Sequence, residues 1–145
     1  MYLVSHPNAR AIPDNIRLPI FRDGFIYVVA FTIGSQRHPV KLLMDTGGGL
    51  IWTRCKPCKN LGIYDPRASP SYGTLPCHHP LCHGDGRLYN YVEGQCPYNV
   101  RYGGGASTRD IASLESFQFF IDRSKIKTFS NVIFGCSNDS SDIFF

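Results

Sequence analysis

The apolar positions of this chain fall into short β-type runs separated by turn residues, with no 3.6-residue repeat worth scoring. Residues 25–33 read FIYVVAFTI, a β-branched and aromatic run. The turn residues GSQRHP follow, and VKLLM resumes an apolar strand that exits at Asp45. That pattern predicts a hairpin with a carboxylate at its exit. After LIW, residues 53–101 carry five of the six cysteines and most of the prolines and histidines, which predicts an irregular, cross-linked section. Strand signals return at YNVRY, LESFQFFI and NVIFGC, separated by the glycine cluster GGGAS and the polar stretch DRSKIKTFS. The sum is an all-β chain. Residues 1–24 mix Pro, Asn, Arg and Asp without a period and read as a leader or edge segment, leaving 25–145 as one domain.

Composition narrows the function classes. Hydrophobic residues make up 43% of the 145, enough for a single core of ordinary domain size. Charged residues are 18%, and the net charge of +4 is dispersed among acidic residues, so no basic stripe points to nucleic acid. No apolar run reaches the ~20 residues of a membrane span, and the amino end shows neither a signal-peptide apolar region nor a cleavage-like site.

The chemistry concentrates in LLMDTGGGLIW. A carboxylate at a strand end followed by Thr46 and Gly47 can sit in a tight loop whose backbone amides point at its oxygens. An Asx turn at the surface has the same local sequence, and on composition alone Trp52 and Tyr102 read equally well as core aromatics. The six cysteines, Cys55, Cys58, Cys77, Cys82, Cys96 and Cys136, suit either disulfides or, with His78, His79 and His83 near the first four, a structural zinc site. A triplet Asn138-Asp139-Ser140 makes Asn138 a glycosylation candidate in a secretory compartment.

In order and spacing, YVVAFTIG, LLMDTG, Trp52 seven residues after Asp45, CKPC and YNVRYGGGAST resemble the amino-terminal lobe of pepsin-like aspartic proteases. The resemblance is greatest to the cysteine-rich plant branch of nepenthesin-like proteases and the related, catalytically dead xylanase-inhibitor proteins. It implies one lobe of the bilobal acid-protease fold, with a cysteine-rich insertion and no cofactor or metal. Asp45 takes the place of the first catalytic aspartate, and Thr46 that of the residue gripping the opposite lobe, with Gly47 supporting the loop. Tyr102 takes the place of the flap tyrosine and Trp52 that of its indole partner. The resemblance also implies a secreted or vacuolar protein, oxidised cysteine pairs, among which Cys136 can tie back to Cys55, and a peptide or protein substrate once a second lobe is supplied.

The chain departs from the family pattern at several positions. The family's DTGS is DTGG here, so Gly48 brings no hydroxyl to the aspartate, and Gly49 follows. YGDGS is YGGGAS, with Gly104 and Ala106 in place of a carboxylate and a hydroxyl, and Leu61 stands near the place of a family cysteine. Only one DTG is present, whereas peptide hydrolysis of this type needs two carboxylates sharing a proton. The sequence therefore leaves three readings: an incomplete aspartic endopeptidase homologue, a non-catalytic protein-binding module like the xylanase-inhibitor relatives, or a small zinc-binding interaction domain. A symmetric pair of chains is a weaker route to a second carboxylate, because the interface strands of a second lobe are missing.

Overall fold

The computed structural model describes residues 18–56, 63–83, 89, 91–121 and 124–140. They form nine strands: β1 Ile20–Asp23, β2 Ile26–Ile33, β3 His38–Leu43, β4 Trp52–Arg54, β5 Gly73–Thr74, β6 Pro97–Arg101, β7 Ser107–Phe120, β8 Ile126–Ser137 and β9 Asp139–Ser140. Two short 3-10 turns, Pro66–Ala68 and Pro80–His83, interrupt the middle section. The all-β expectation holds, and the first hairpin lies where its pattern put it. β2 and β3 pair antiparallel from Val28↔Leu43 to Ile33↔His38 around a turn at Gly34.

β1–β2–β7–β8–β4 is the sheet order; β3 pairs β2, while β5, β6 and β9 pair β7. β7 is the spine. Its first half pairs with β6, from Pro97↔Ile111 to Arg101↔Ser107, and its second half runs along β8. The polar stretch 122–130 was expected to separate two strands, yet β8 already starts at Ile126. Main-chain pairing with the long β7, through Phe120↔Ile126 and Gln118↔Thr128, holds those polar residues extended while their side chains face water. Ile20–Asp23 pairs antiparallel with β2, from Ile20↔Val29 to Asp23↔Ile26. Residues 1–17 lie outside the described residues.

β3 alternates between half-buried and exposed positions, whereas β2 buries residues on both of its faces. Val29, Phe31, Ile33, Phe117, Phe119 and Phe134 form the main core, with Val40, Leu42, Met44 and Ile51 packed on it. Phe31 stacks on Phe117 at 5.2 Å between ring centroids, and Phe117 meets Phe134 edge-on at 5.6 Å. A smaller core of Leu75, Cys82, Cys96, Tyr98 and Ala112 lies under the middle section. Two disulfides staple these regions, Cys55–Cys136 and Cys82–Cys96.

These bridges account for four of the six cysteines. A zinc site built on Cys55 and Cys82 is excluded, because both thiols are consumed, and the described residues contain no group of three His, Cys, Asp or Glu able to hold a metal. Cys77, another of the six candidates, is a free, half-buried thiol among the described residues. Cys58 and Leu61 lie outside the described residues.

Candidate functional site

β3 delivers Asp45 to the surface. Its ladder ends when the Met44 amide donates to the Tyr27 carbonyl at 2.8 Å, and the chain then turns through the glycines. The Gly47 amide donates to Asp45 Oδ1 at 2.8 Å, the Asx-type bond that fixes the carboxylate's direction. Asp45, Thr46 and Gly47 are all exposed. A Cβ at Gly48 would stand 3.0 Å from Asp45 Oδ2, so position 48 is the nearest point from which a side chain could reach the second carboxylate oxygen.

Trp52 is placed by a different device. β4 pairs parallel with β8 at Trp52↔Gly135 and Thr53↔Cys136, the Gly135 amide donates to the Ile51 carbonyl at 2.8 Å, and Cys55–Cys136 locks the pair. Gly135 is obligatory there, since a Cβ would lie 2.6 Å from the Tyr98 ring. Parallel pairing of strands so far apart in sequence leaves no local pattern, and neither Gly135 nor Tyr98 stood out in the sequence.

Tyr102 sits at the β6–β7 hairpin tip. The loop closes by Tyr102 N–H to the Ala106 carbonyl at 2.9 Å and Gly105 N–H to the Tyr102 carbonyl at 3.0 Å, with Gly105 at φ +88°. Trp52 Nε1 donates to the Tyr102 hydroxyl at 2.7 Å across 50 residues of sequence. The indole thus fills an acceptor position of the hydroxyl, whose own proton remains to be donated. Burial pushes the Tyr102 hydroxyl above the ordinary tyrosine range; the indole bond opposes that shift and the nearby Asp45 charge adds to it.

Together Asp45, Gly48, Trp52, Tyr102 and Ala106 line one groove of about 640 Å3 with an apolar wall that includes Val28, Leu43, Met44, Leu50 and Ile51. Asp23, Lys41 and Arg54 also border it, three charged residues that sequence reasoning passed over because nothing local marks them. Neither the described cysteines nor Asn138 line it; Asn138 is an exposed residue between β8 and β9. Also missed was Glu115, a fully buried acid on β7 that accepts from the Tyr64 hydroxyl, from Ser71 Oγ at 2.5 Å and from the Ser116 amide at 2.6 Å. Its one signal was a carboxylate inside the apolar run LESFQFFI.

An all-β sheet carrying an aspartate-glycine turn beneath a tyrosine-tipped hairpin, with an indole on the tyrosine hydroxyl, defines the amino-terminal half of a pepsin-like aspartic protease. The chain belongs to the Xylanase inhibitor N-terminal family, whose model matches residues 27–145. Aspartic proteinase nepenthesin-2 of Nepenthes gracilis is 31% identical over 132 residues, covering 88% of this chain and 29% of that protein. Aspartyl protease family protein 2 of Arabidopsis thaliana is 32% identical over 124 residues, covering 81% of this chain and 24% of the other. The chain therefore spans 24–29% of the length of these relatives. Among solved structures, edgp superposes with a TM-score of 0.61 at 17% identity over 83% of this chain and 31% of its own. Conglutin gamma, a basic 7S globulin from lupine seeds, gives 0.61 at 14% identity over 83% and 34%. At that identity the two show the fold alone.

Proposed function

We propose that the chain supplies one half of an aspartic-type endopeptidase site, with Asp45 as one of two acid/base carboxylates. The observation that carries this reading is the Trp52–Tyr102 hydrogen bond, which holds the hairpin tip over the groove that Asp45 opens into. In such a site an ionised carboxylate takes a proton from water while a protonated partner polarises the scissile carbonyl, and mutual repulsion keeps the two in opposite states. The apolar walls exclude bulk water and take the side chains of an extended peptide, and the Tyr102 hydroxyl offers it a hydrogen bond. Thr46, exposed beside Asp45, is placed to bond whatever brings the second carboxylate. The two disulfides favour an oxidising, secretory compartment.

Digestion of acid-denatured haemoglobin at about pH 4 tests this reading, with pepstatin and D45N as controls. The chain alone is expected to cleave nothing, and cleavage that pepstatin and D45N both abolish is expected once the carboxy-terminal lobe of a relative is added; no cleavage by that mixture at any attainable concentration overturns the reading. A second reading, a non-catalytic protein-binding module, is favoured by one observation. Among the described residues only the Gly47 amide bonds Asp45, position 48 being glycine and bringing no donor side chain. Titration against an endoxylanase tests it: loss of xylanase activity at a 1:1 ratio supports the module.

A further inference from the structure

The triplet Asn138-Asp139-Ser140 has no part in the Asp45 groove. No other asparagine of the chain has Ser or Thr two positions on, and the middle residue of this triplet is not proline. The fold leaves the acceptor open to solvent. Ser137 ends β8 fully buried, whereas Asn138, at the bend into the two-residue strand β9, is exposed. The Asn138 main-chain amide donates to Asp110 Oδ2 at 3.0 Å, so β7 pins the bend. Beside it lies a basin of about 390 Å3 lined by Pro97, Tyr98, Asn99, Arg109, Asp110 and Ile111. Asn99 and Arg109 are cross-strand partners and both are exposed, which gives a first sugar room and polar neighbours.

We infer that Asn138 is an N-glycosylation site, modified in the secretory pathway by a polyprenyl-diphosphate-linked oligosaccharide. In the transfer, Asn138 Nδ2 forms a bond to the anomeric carbon of the first sugar. The bond from that carbon to the diphosphate oxygen breaks, and the diphosphate leaves with the electron pair. Nδ2 gives up one proton to a base of the oligosaccharyltransferase, and no oxidant or reductant takes part. Transfer meets the chain before it folds, so the folded protein has only to tolerate the product. A glycan on a buried asparagine would block folding; one on Asn138 projects into water. The inference rests on the secretory placement that the two disulfides favour, and it is independent of whether Asp45 catalyses.

Translation of the full chain behind a secretory signal peptide, in the presence of microsomes, tests the site. The protease-protected product is expected to gain the mass of one glycan and to lose it on PNGase F digestion. Digestion in heavy-oxygen water tags the modified asparagine, and peptide mass spectrometry is expected to find the tag at Asn138. N138Q and S140A are each expected to abolish the shift, and S140T to keep it. Ile126→Asn, at an exposed position of β8 two residues before Thr128, adds a second acceptor as a control for entry and accessibility. That chain is expected to carry two glycans, and one in the N138Q background. A protected chain with no glycan at Asn138, or a shift that persists in N138Q, overturns the inference. Because the signal peptide supplies the compartment, such a failure counts against the acceptor and leaves the secretory placement standing.

Discussion

At the residue scale, the site depends on side chains answering one another across the fold. The indole proton of Trp52 is the single polar tie recorded between β4 and the hairpin tip at Tyr102. W52F keeps most of the apolar area and removes the donor, so the loss in stability is expected to be about 1 kcal/mol by urea titration. Because that bond lowers the Tyr102 ionisation point, the variant's Tyr102 is expected to titrate still higher, which ultraviolet difference titration reads directly. Tyr98 offers a cleaner pH dependence. Burial pushes its hydroxyl up to about 12 from 10.0, with the Thr108 bond opposing. The folded state therefore holds this proton where the unfolded chain has released it. The contribution is whole below pH 10.0 and is lost as pH climbs towards about 12. Thermal melts of wild type between those limits are expected to fall more steeply than those of Y98F.

At the element scale, strands were legible where one face is buried and obscure where pairing alone makes them. Residues 25–33 are apolar almost throughout, with Val28, Val29, Phe31 and Ile33 all buried, so the β-branched and aromatic run exposed the strand. The first half of β8 is polar, and only its partner β7 holds it extended. β4 was hidden for a similar reason: three residues cannot show a period, and its partner is 81 positions away at the bridge that seals them. Gly135 is the hinge of that arrangement. G135A drives a methyl into the Tyr98 ring, and a loss of about 1–3 kcal/mol in urea unfolding is expected. Tyr98→Ala in the same chain is expected to recover part of it, which separates the steric clash from a general intolerance of substitution.

At the scale of the whole molecule, the two disulfides divide the work by loop length. Cys55–Cys136 closes a separation of 81 residues and Cys82–Cys96 one of 14. Chain-entropy cost makes them worth about 4.5 and about 3 kcal/mol respectively. Replacing the first pair by serine is therefore expected to lower the melting temperature more than replacing the second, as calorimetry of both variants would show. With six cysteines allowing about fifteen full pairings, this ordering could not be had before the fold. What the amino-acid sequence determined by itself is local: the β class, the first hairpin, and an aspartate-glycine turn at Asp45. Those follow from neighbours within a few residues, where alternation and turn chemistry act. The tertiary structure alone decided that Cys82 bonds Cys96, that Glu115 is buried, and that Gly135 lies against the Tyr98 ring. Each of these joins residues far apart along the chain, and only sheet pairing and core burial set such distances.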